Sequence, residues 1–252
     1  MIWDFFDDII CISLRNRMNR RDQASQIFKE LGIPVTFFIV DKHPNGGIYG
    51  CFDSHIKIVQ YMQKNNKNNI LIFEDDVEPT ASFDISHIEN AVKFMKLNQN
   101  WDLFYLGYFP FNYEKIYLTS LNINDNIIQY NPFATHAYCI NKRAIPKILT
   151  NYNSFIGKIH IDHYFSRYTD LTNYCYTPII FDQKLCEDHD VEPNNLIEYV
   201  ARSSQCVAQE KNILWKTSMV KYYLNVYFII LILCIMILLL VILFIIKYNN
   251  NL

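Results

Sequence analysis

Ile70-Leu71-Ile72-Phe73-Glu74-Asp75-Asp76-Val77 decides the reading of this chain. Its apolar run predicts a strand buried on both faces, as in the centre of an open α/β sheet. Three consecutive carboxylates follow at the carboxyl end, where ligands of such sheets bind. Adjacent like charges cost stability unless a cation offsets them, so folding alone does not ask for this arrangement. In extended backbone Glu74 and Asp76 share one face. An oxygen-rich pair of this kind suits Mg²⁺ or Mn²⁺, which take carboxylates together with substrate phosphate oxygens. A solvated acidic turn would leave the same pattern.

Upstream, residues 8–14 predict a first strand, and a helix follows with Ala24, Ile27, Phe28 and Leu31 on one face and Asn19 as its N-cap. Gly32-Ile33-Pro34 stops that helix, and residues 35–40 predict a second strand. A helix from about Gly50 carries Cys51, His55, Ile58, Val59 and Met62 inward and leads to the acidic strand. Downstream come a helix with Ile85, Ile88, Val92 and Met95 in register and a strand at 103–106. Residues 110–132 read as an irregular aromatic loop or hairpin. A strand at 138–140, a helix at 142–149 and a segment at 161–168 then close the fold. Strands alternating with helices predict a mostly parallel sheet with helices on its faces.

The 252 residues suffice for one sizeable core, and a net charge of −2 argues against nucleic acid as a partner. Residues 226–246 hold no charged side chain and amount to roughly 31 Å of helix, enough to cross a bilayer. Tyr222, Tyr223, Tyr227 and Tyr248 near its ends fit an aromatic belt. Lys211, Lys216 and Lys221 before the span, against Lys247 after it, predict a cytoplasmic N-terminal part by the positive-inside rule. The expectation is therefore a single-pass, C-terminally anchored membrane protein with a domain at 1–210, a juxtamembrane segment at 211–221, a transmembrane helix at 222–247 and a short tail at 248–252. Seven cysteines form no C-x-x-C pair, which leaves zinc without the usual framework and predicts buried thiols rather than disulfides.

In order along the chain stand Ile12-Ser13-Leu14 with Arg20-Arg21, Gly50-Cys51-Phe52-Asp53-Ser54-His55, Phe73-Glu74-Asp75-Asp76-Val77, and Trp101-Asp102-Leu103 leading to Leu106-Gly107. Ala137-Tyr138-Cys139-Ile140 with Lys142-Arg143-Ala144, Ile161-Asp162, and Pro178 with Gln183 complete the series. Across residues 9–190 this order resembles glycosyltransferase family 25, the lipooligosaccharide galactosyl- and glucosyltransferases with collagen galactosyltransferase relatives. Two positions depart from it: Ile48 stands where an acidic residue is usual, and Asp53 where an apolar one is. The resemblance implies a GT-A type Rossmann-like domain that takes a hexose from a UDP-sugar and passes it to a hydroxyl of a glycan, a lipid-linked group or a protein. A non-catalytic, tail-anchored binding or structural protein that keeps the fold is the alternative, motivated by those two departures.

Such chemistry needs the departing diphosphate neutralised, the acceptor hydroxyl deprotonated and an oxocarbenium-like sugar stabilised. Glu74 and Asp76 are the expected ligands of Mn²⁺ or Mg²⁺, with Asp75 beside them. Ser13, Arg20, Arg21, Asp41, Ser54, His55 and Asp75 are the expected donor-site residues. Arginines at a helix start also serve as solvated surface, Asp41 also suits a turn, and His55 also suits a core position with its hydrogen bonds satisfied. Asp76 and Asp162 are the catalytic candidates. Asp102, Asp188 and Asp190 are further possible bases, and His163 or His189 further metal ligands. A helix N-terminal acid would look the same as Asp162.

Overall fold

The computed structural model describes residues 2–109 and 121–184. A 3₁₀ turn at Ile2–Phe5 leads into β1 (Asp8–Leu14), α1 (Met18–Glu30), β2 (Thr36–Val40), α2 (Gly47–Lys64) and β3 (Asn69–Glu74). Then follow β4 (Val77–Pro79), α3 (Ile85–Leu97), β5 (Leu103–Phe109), β6 (Leu121–Asn124), β7 (Ile127–Gln129) and β8 (Phe133–Asn141). Two short helices, α4 (Ala144–Leu149) and α5 (Ile161–Arg167), and the strands β9 (Asn173–Tyr176) and β10 (Phe181–Gln183) complete the described part.

Eight strands form one sheet in the order β2-β1-β3-β8-β5-β9-β7-β6, and β10 pairs with β4 in a small second sheet. β2, β1 and β3 are mutually parallel. β8 enters between β3 and β5 antiparallel to both. The sheet is therefore mixed and Rossmann-like, which corrects the expected mostly parallel arrangement. An apolar run such as that of β8 shows burial on both faces but carries no sign of its direction. The hairpin β6-β7 lies in the stretch expected to be a loop or hairpin, and residues 110–120 lie outside the described residues.

Among the described residues no helix is long and apolar enough to cross a membrane. That corrects the expected fold class of an α/β domain with a transmembrane helix, and with it the expected membrane localisation and cytoplasmic facing. The longest described helix, α2, spans 18 residues and carries Asp53, Lys57 and Lys64. The segments 211–221, 222–247 and 248–252 lie outside the described residues.

The core forms where β1, β3, β5 and β8 meet α1 and α3: Cys11, Phe28, Leu71, Phe73, Ile88, Val92, Phe104 and Cys139 pack there. Helical periodicity placed this face well, with one exception at Ile85, which is 43% exposed. Asp84 rather than an apolar residue opens α3, its side chain accepting a hydrogen bond from the Ser86 amide at 2.8 Å. Asn19 does not cap α1, which begins a residue earlier and has Arg17 at the cap position without a side-chain bond. Cys11, Cys51, Cys139 and Cys175 are thiols outside any disulfide, as expected.

Trp101-Asp102 is a structural joint. The Trp101 indole donates to the Met95 carbonyl at 3.0 Å and closes α3 onto β5. Asp102, fully buried, accepts from the Lys147 ammonium at 2.6 Å and from the Thr172 amide at 2.8 Å, tying α4 and the approach to β9 to the start of β5. A buried carboxylate so engaged fastens these elements together. Asp102→Ala should lower unfolding stability by about 2–4 kcal/mol, because it strands a buried amide and removes the ammonium's partner. Urea denaturation measures this, and a loss under about 1 kcal/mol would mean that Lys147 and Thr172 find other partners.

Candidate functional site

Because β2, β1 and β3 are parallel, their carboxyl ends share one edge, and the side chains beyond them converge. Ile12 lies opposite Glu74 in register, so Ser13 is brought beside the turn that follows β3. β3 ends at Glu74; Asp75 and Asp76 form a turn before β4. Glu74 and Asp76 thus do not share one face of an extended segment, and the three carboxylates enter different surroundings.

Asp75 and Asp76 face Arg20, in the first turns of α1. One guanidinium nitrogen, Nη2, lies 2.9 Å from Asp75 Oδ1 and 2.5 Å from Asp76 Oδ2, with all three side chains largely buried. Gln183 on β10 donates to Asp76 Oδ2 at 2.9 Å, and the Lys184 amide donates to the Asp76 carbonyl at 2.8 Å. Asp76 Oδ1 is buried and has no hydrogen-bond partner. Arg20, Gln23, Ala24, Ile27, Val77 and Glu78 surround the small recess at these carboxylates.

Glu74 turns the other way. Its Oε1 accepts from the Thr135 hydroxyl at 2.7 Å and lies 3.4 Å from His55 Nε2. His55 Nδ1 lies 2.8 Å from the Tyr138 hydroxyl, so a buried line runs from β8 through α2 to the end of β3. His136, also buried, donates from Nε2 to the Phe181 carbonyl at 3.2 Å; its Nδ1 has no partner. A Cβ on Gly107 would collide with His136 Nε2 and come within 2.6 Å of the Phe181 carbonyl oxygen, so a glycine is required there for β5, β8 and β10 to close on one another.

Charge is distributed unevenly. Burial pushes the Glu74 carboxyl up, but the His55 hydrogen bond and charge, the Thr135 hydroxyl and His136 outweigh it and hold Glu74 below the ordinary range. Burial raises Asp76, helped by the Glu74 charge, against the opposing pull of Arg20, Gln183 and His136. Burial likewise raises Asp75 from 3.8 to about 6, although Arg20 and the Ser13 hydroxyl favour its ionised form. Arg20 is raised: desolvation opposes its charge, but Asp76 and Asp75 more than compensate.

The remaining expected residues divide. Arg21 Nη1 donates to Ser13 Oγ at 3.2 Å and to the Leu14 carbonyl at 3.0 Å, bracing the end of β1. Asp41 is exposed beyond β2 and pairs with Arg15 at 2.7 Å. Ser54, inside α2, donates back to the Gly50 carbonyl at 2.6 Å. Asp53 pairs with Lys57 one helical turn on, toward solvent. Asp162, at the start of α5, accepts from the amides of Ala134 at 3.0 Å and His163 at 2.7 Å. Asp188, His189 and Asp190 lie outside the described residues. Thr135 and His136 belong to no motif read from the sequence; the available signal was two polar residues inside an otherwise apolar strand, which must find partners when buried.

A divalent ion of the hard, oxygen-preferring type fits this set: Asp76 Oδ1 is a buried carboxylate oxygen lacking a partner, and Asp75 meets the same guanidinium nitrogen as Asp76. Asp75 also makes a prediction about pH. Its folded value lies above its unfolded one, so the folded state binds the extra proton, and stability from this group is present below about 3.8 and lost as pH rises through about 6. Asp75→Asn should remove that loss. Between pH 4 and pH 7 the variant should gain about 2 kcal/mol relative to the parent in urea denaturation, and a constant difference would contradict the assignment.

The glycosyltransferase family 25 (LPS biosynthesis protein) model matches residues 45–165, a stretch that takes in α2, the carboxylates, the Asp102 joint, β8 and Asp162. No curated protein matches the chain. Among solved structures, A197 from STIV has 13% identity, covering 75% of this chain and 98% of its own, with a TM-score of 0.42. A glycosyltransferase involved in the glycosylation of the major capsid of PBCV-1 has 11% identity, covering 79% and 98%, with a TM-score of 0.42. TM-scores this low leave both as loose likenesses of shape. Residues 45–165, just under half of the chain, are thus similar to family 25 glycosyltransferases, and the motifs from Gly50 to Asp162 that carry the resemblance lie within that stretch.

Proposed function

We propose that this domain moves a hexose, galactose or glucose, from a UDP-sugar to an acceptor hydroxyl with inversion at the sugar carbon. The observation that supports this reading most is the buried, partnerless Oδ1 of Asp76 at the carboxyl end of β3, inside the matched family segment. Asp76, with Asp75, would hold Mn²⁺ or Mg²⁺, which when bound supplies Lewis-acid neutralisation of the departing diphosphate.

The chain's own residues have separable tasks in this reading. Arg20 offsets the carboxylates and, on donor binding, offers its guanidinium to phosphate oxygens, for which its planar fork is suited. Arg21 keeps the end of β1 in place through Ser13 and the Leu14 carbonyl. His55 and Ser54 hold the donor side of α2, and Asp41 is exposed beyond β2 for the nucleoside. Asp162 is the candidate general base: two backbone amides orient its carboxylate, and each oxygen keeps a further lone pair for the acceptor proton. The acceptor is a glycan, lipid-linked or protein hydroxyl.

The full chain, incubated in Mn²⁺ with a panel of UDP-hexoses, should hydrolyse or transfer from at least one. Asp76→Asn should cut the rate by about 100-fold or more, since the group acts on charge that develops in the transition state. No turnover across the panel, together with no metal-dependent UDP binding, would leave the non-catalytic alternative standing.

A further inference from the structure

Cys51 and His55 lie four residues apart on α2, so their side chains project from one face toward the end of β3. One ligating atom each from Cys51, His55 and Glu74 lies within 4.8 Å of the other two. Among the described residues no other group of three His, Cys, Asp or Glu side chains meets that spacing. We infer that Cys51, His55 and Glu74 form a binding site for a borderline-soft divalent ion of the zinc type, distinct in chemistry from the oxygen donors around Asp76.

The separations leave room for an ion between the donors. His55 Nε2 and Glu74 Oε1 stand 3.4 Å apart. A charge-assisted hydrogen bond is usually about 2.7–2.9 Å. Two ligands on a tetrahedral zinc, each bonded at 2.0–2.1 Å, stand roughly 3.3 Å apart. Cys51 completes the set within 4.8 Å of both and is half-buried.

The outer contacts are those that ligating groups require. Tyr138 lies 2.8 Å from His55 Nδ1, on the nitrogen away from Glu74, and can accept its proton so that Nε2 presents a lone pair. Thr135 donates to Glu74 Oε1 and fixes the carboxylate. On binding, the ion displaces one proton from the Cys51 thiol into solvent. A thiolate in the set selects zinc-like ions over Mg²⁺. Three protein ligands leave a fourth position open to water or another small donor.

Cobalt substitution tests this without donor, acceptor or turnover, so its failure and that of the glycosyltransferase reading are separable. Titrated with Co²⁺ under reducing conditions, the full chain should show a tetrahedral visible spectrum and a thiolate charge-transfer band that saturate at one equivalent. Zn²⁺ should abolish both, and excess Mg²⁺ should leave both unchanged. Cys51→Ala and Cys51→Ser should each lose the thiolate band with the fold retained by circular dichroism, and Tyr138→Phe should weaken binding about 10–100-fold. A parent protein with no tetrahedral spectrum overturns the site, as does a thiolate band that survives both Cys51 substitutions.

Discussion

One guanidinium nitrogen of Arg20 lies against two carboxylates, and the site depends on that contact. Glu74, Asp75 and Asp76 are consecutive, so their charges cannot separate along the chain. Chain geometry separates them instead. β3 stops at Glu74, the next two residues turn, and α1 brings Arg20 over the turn because it starts soon after the neighbouring parallel strand β1 ends. Arginine suits the task better than lysine: it stays charged when desolvated, and it presents several donors in a fixed plane. Burial of the three side chains sharpens both the repulsion and its relief, since the same charges interact far more strongly away from water.

Glu74 is stabilised by different means. Its partners are a hydroxyl and two imidazoles rather than a guanidinium, and all of them come from β8 and α2. The strand end therefore faces two environments, one tuned to keep a carboxylate ionised and one that raises the carboxyl groups within it. A hard cation between them would relieve the second environment most, because that is where an oxygen lacks a partner. A softer ion would find its nitrogen and sulfur donors only in the first.

The parallel half of the sheet was legible because β1, β2 and β3 are apolar runs separated by helices with a clear inward face, and the position of the acidic triad followed from that order. Direction was not legible. The strand at β8 is apolar on both faces whichever way it runs, and only the pairing with β3 and β5 fixes it as antiparallel. The shared face expected for Glu74 and Asp76 assumed that the strand continued, whereas two consecutive aspartates are turn formers and ended it. Hydropathy at 222–247 suggested a membrane span, and no described helix has that character. At the site, Asp76, Asp75 and Arg20 were named from motifs and meet one another, and His55, also named, meets Glu74 instead, while Thr135 and His136 carried no motif at all and were placed by the register of β8.

That register has its own anchor. Ala134 takes a left-handed conformation, φ 70°, which a residue with a Cβ adopts at some cost unless its surroundings hold it. The holding contact is its amide, which donates to Asp162 Oδ2 from the start of α5. The next two residues are Thr135 and His136, whose side chains bond to Glu74 and the Phe181 carbonyl. Asp162 is therefore linked to the carboxylate site through β8, by bonding the residue that precedes Thr135 and His136. Removing that carboxylate has two consequences: the base proposed for the acceptor is lost, and the strand entry loses the hydrogen bond that supports its strained residue. Asparagine keeps a carbonyl oxygen for the Ala134 amide and loses the basicity together with the acceptor for the His163 amide, whereas alanine loses the Ala134 bond as well. The difference between the two substitutions, rather than the effect of either, separates proton transfer at Asp162 from its hold on β8.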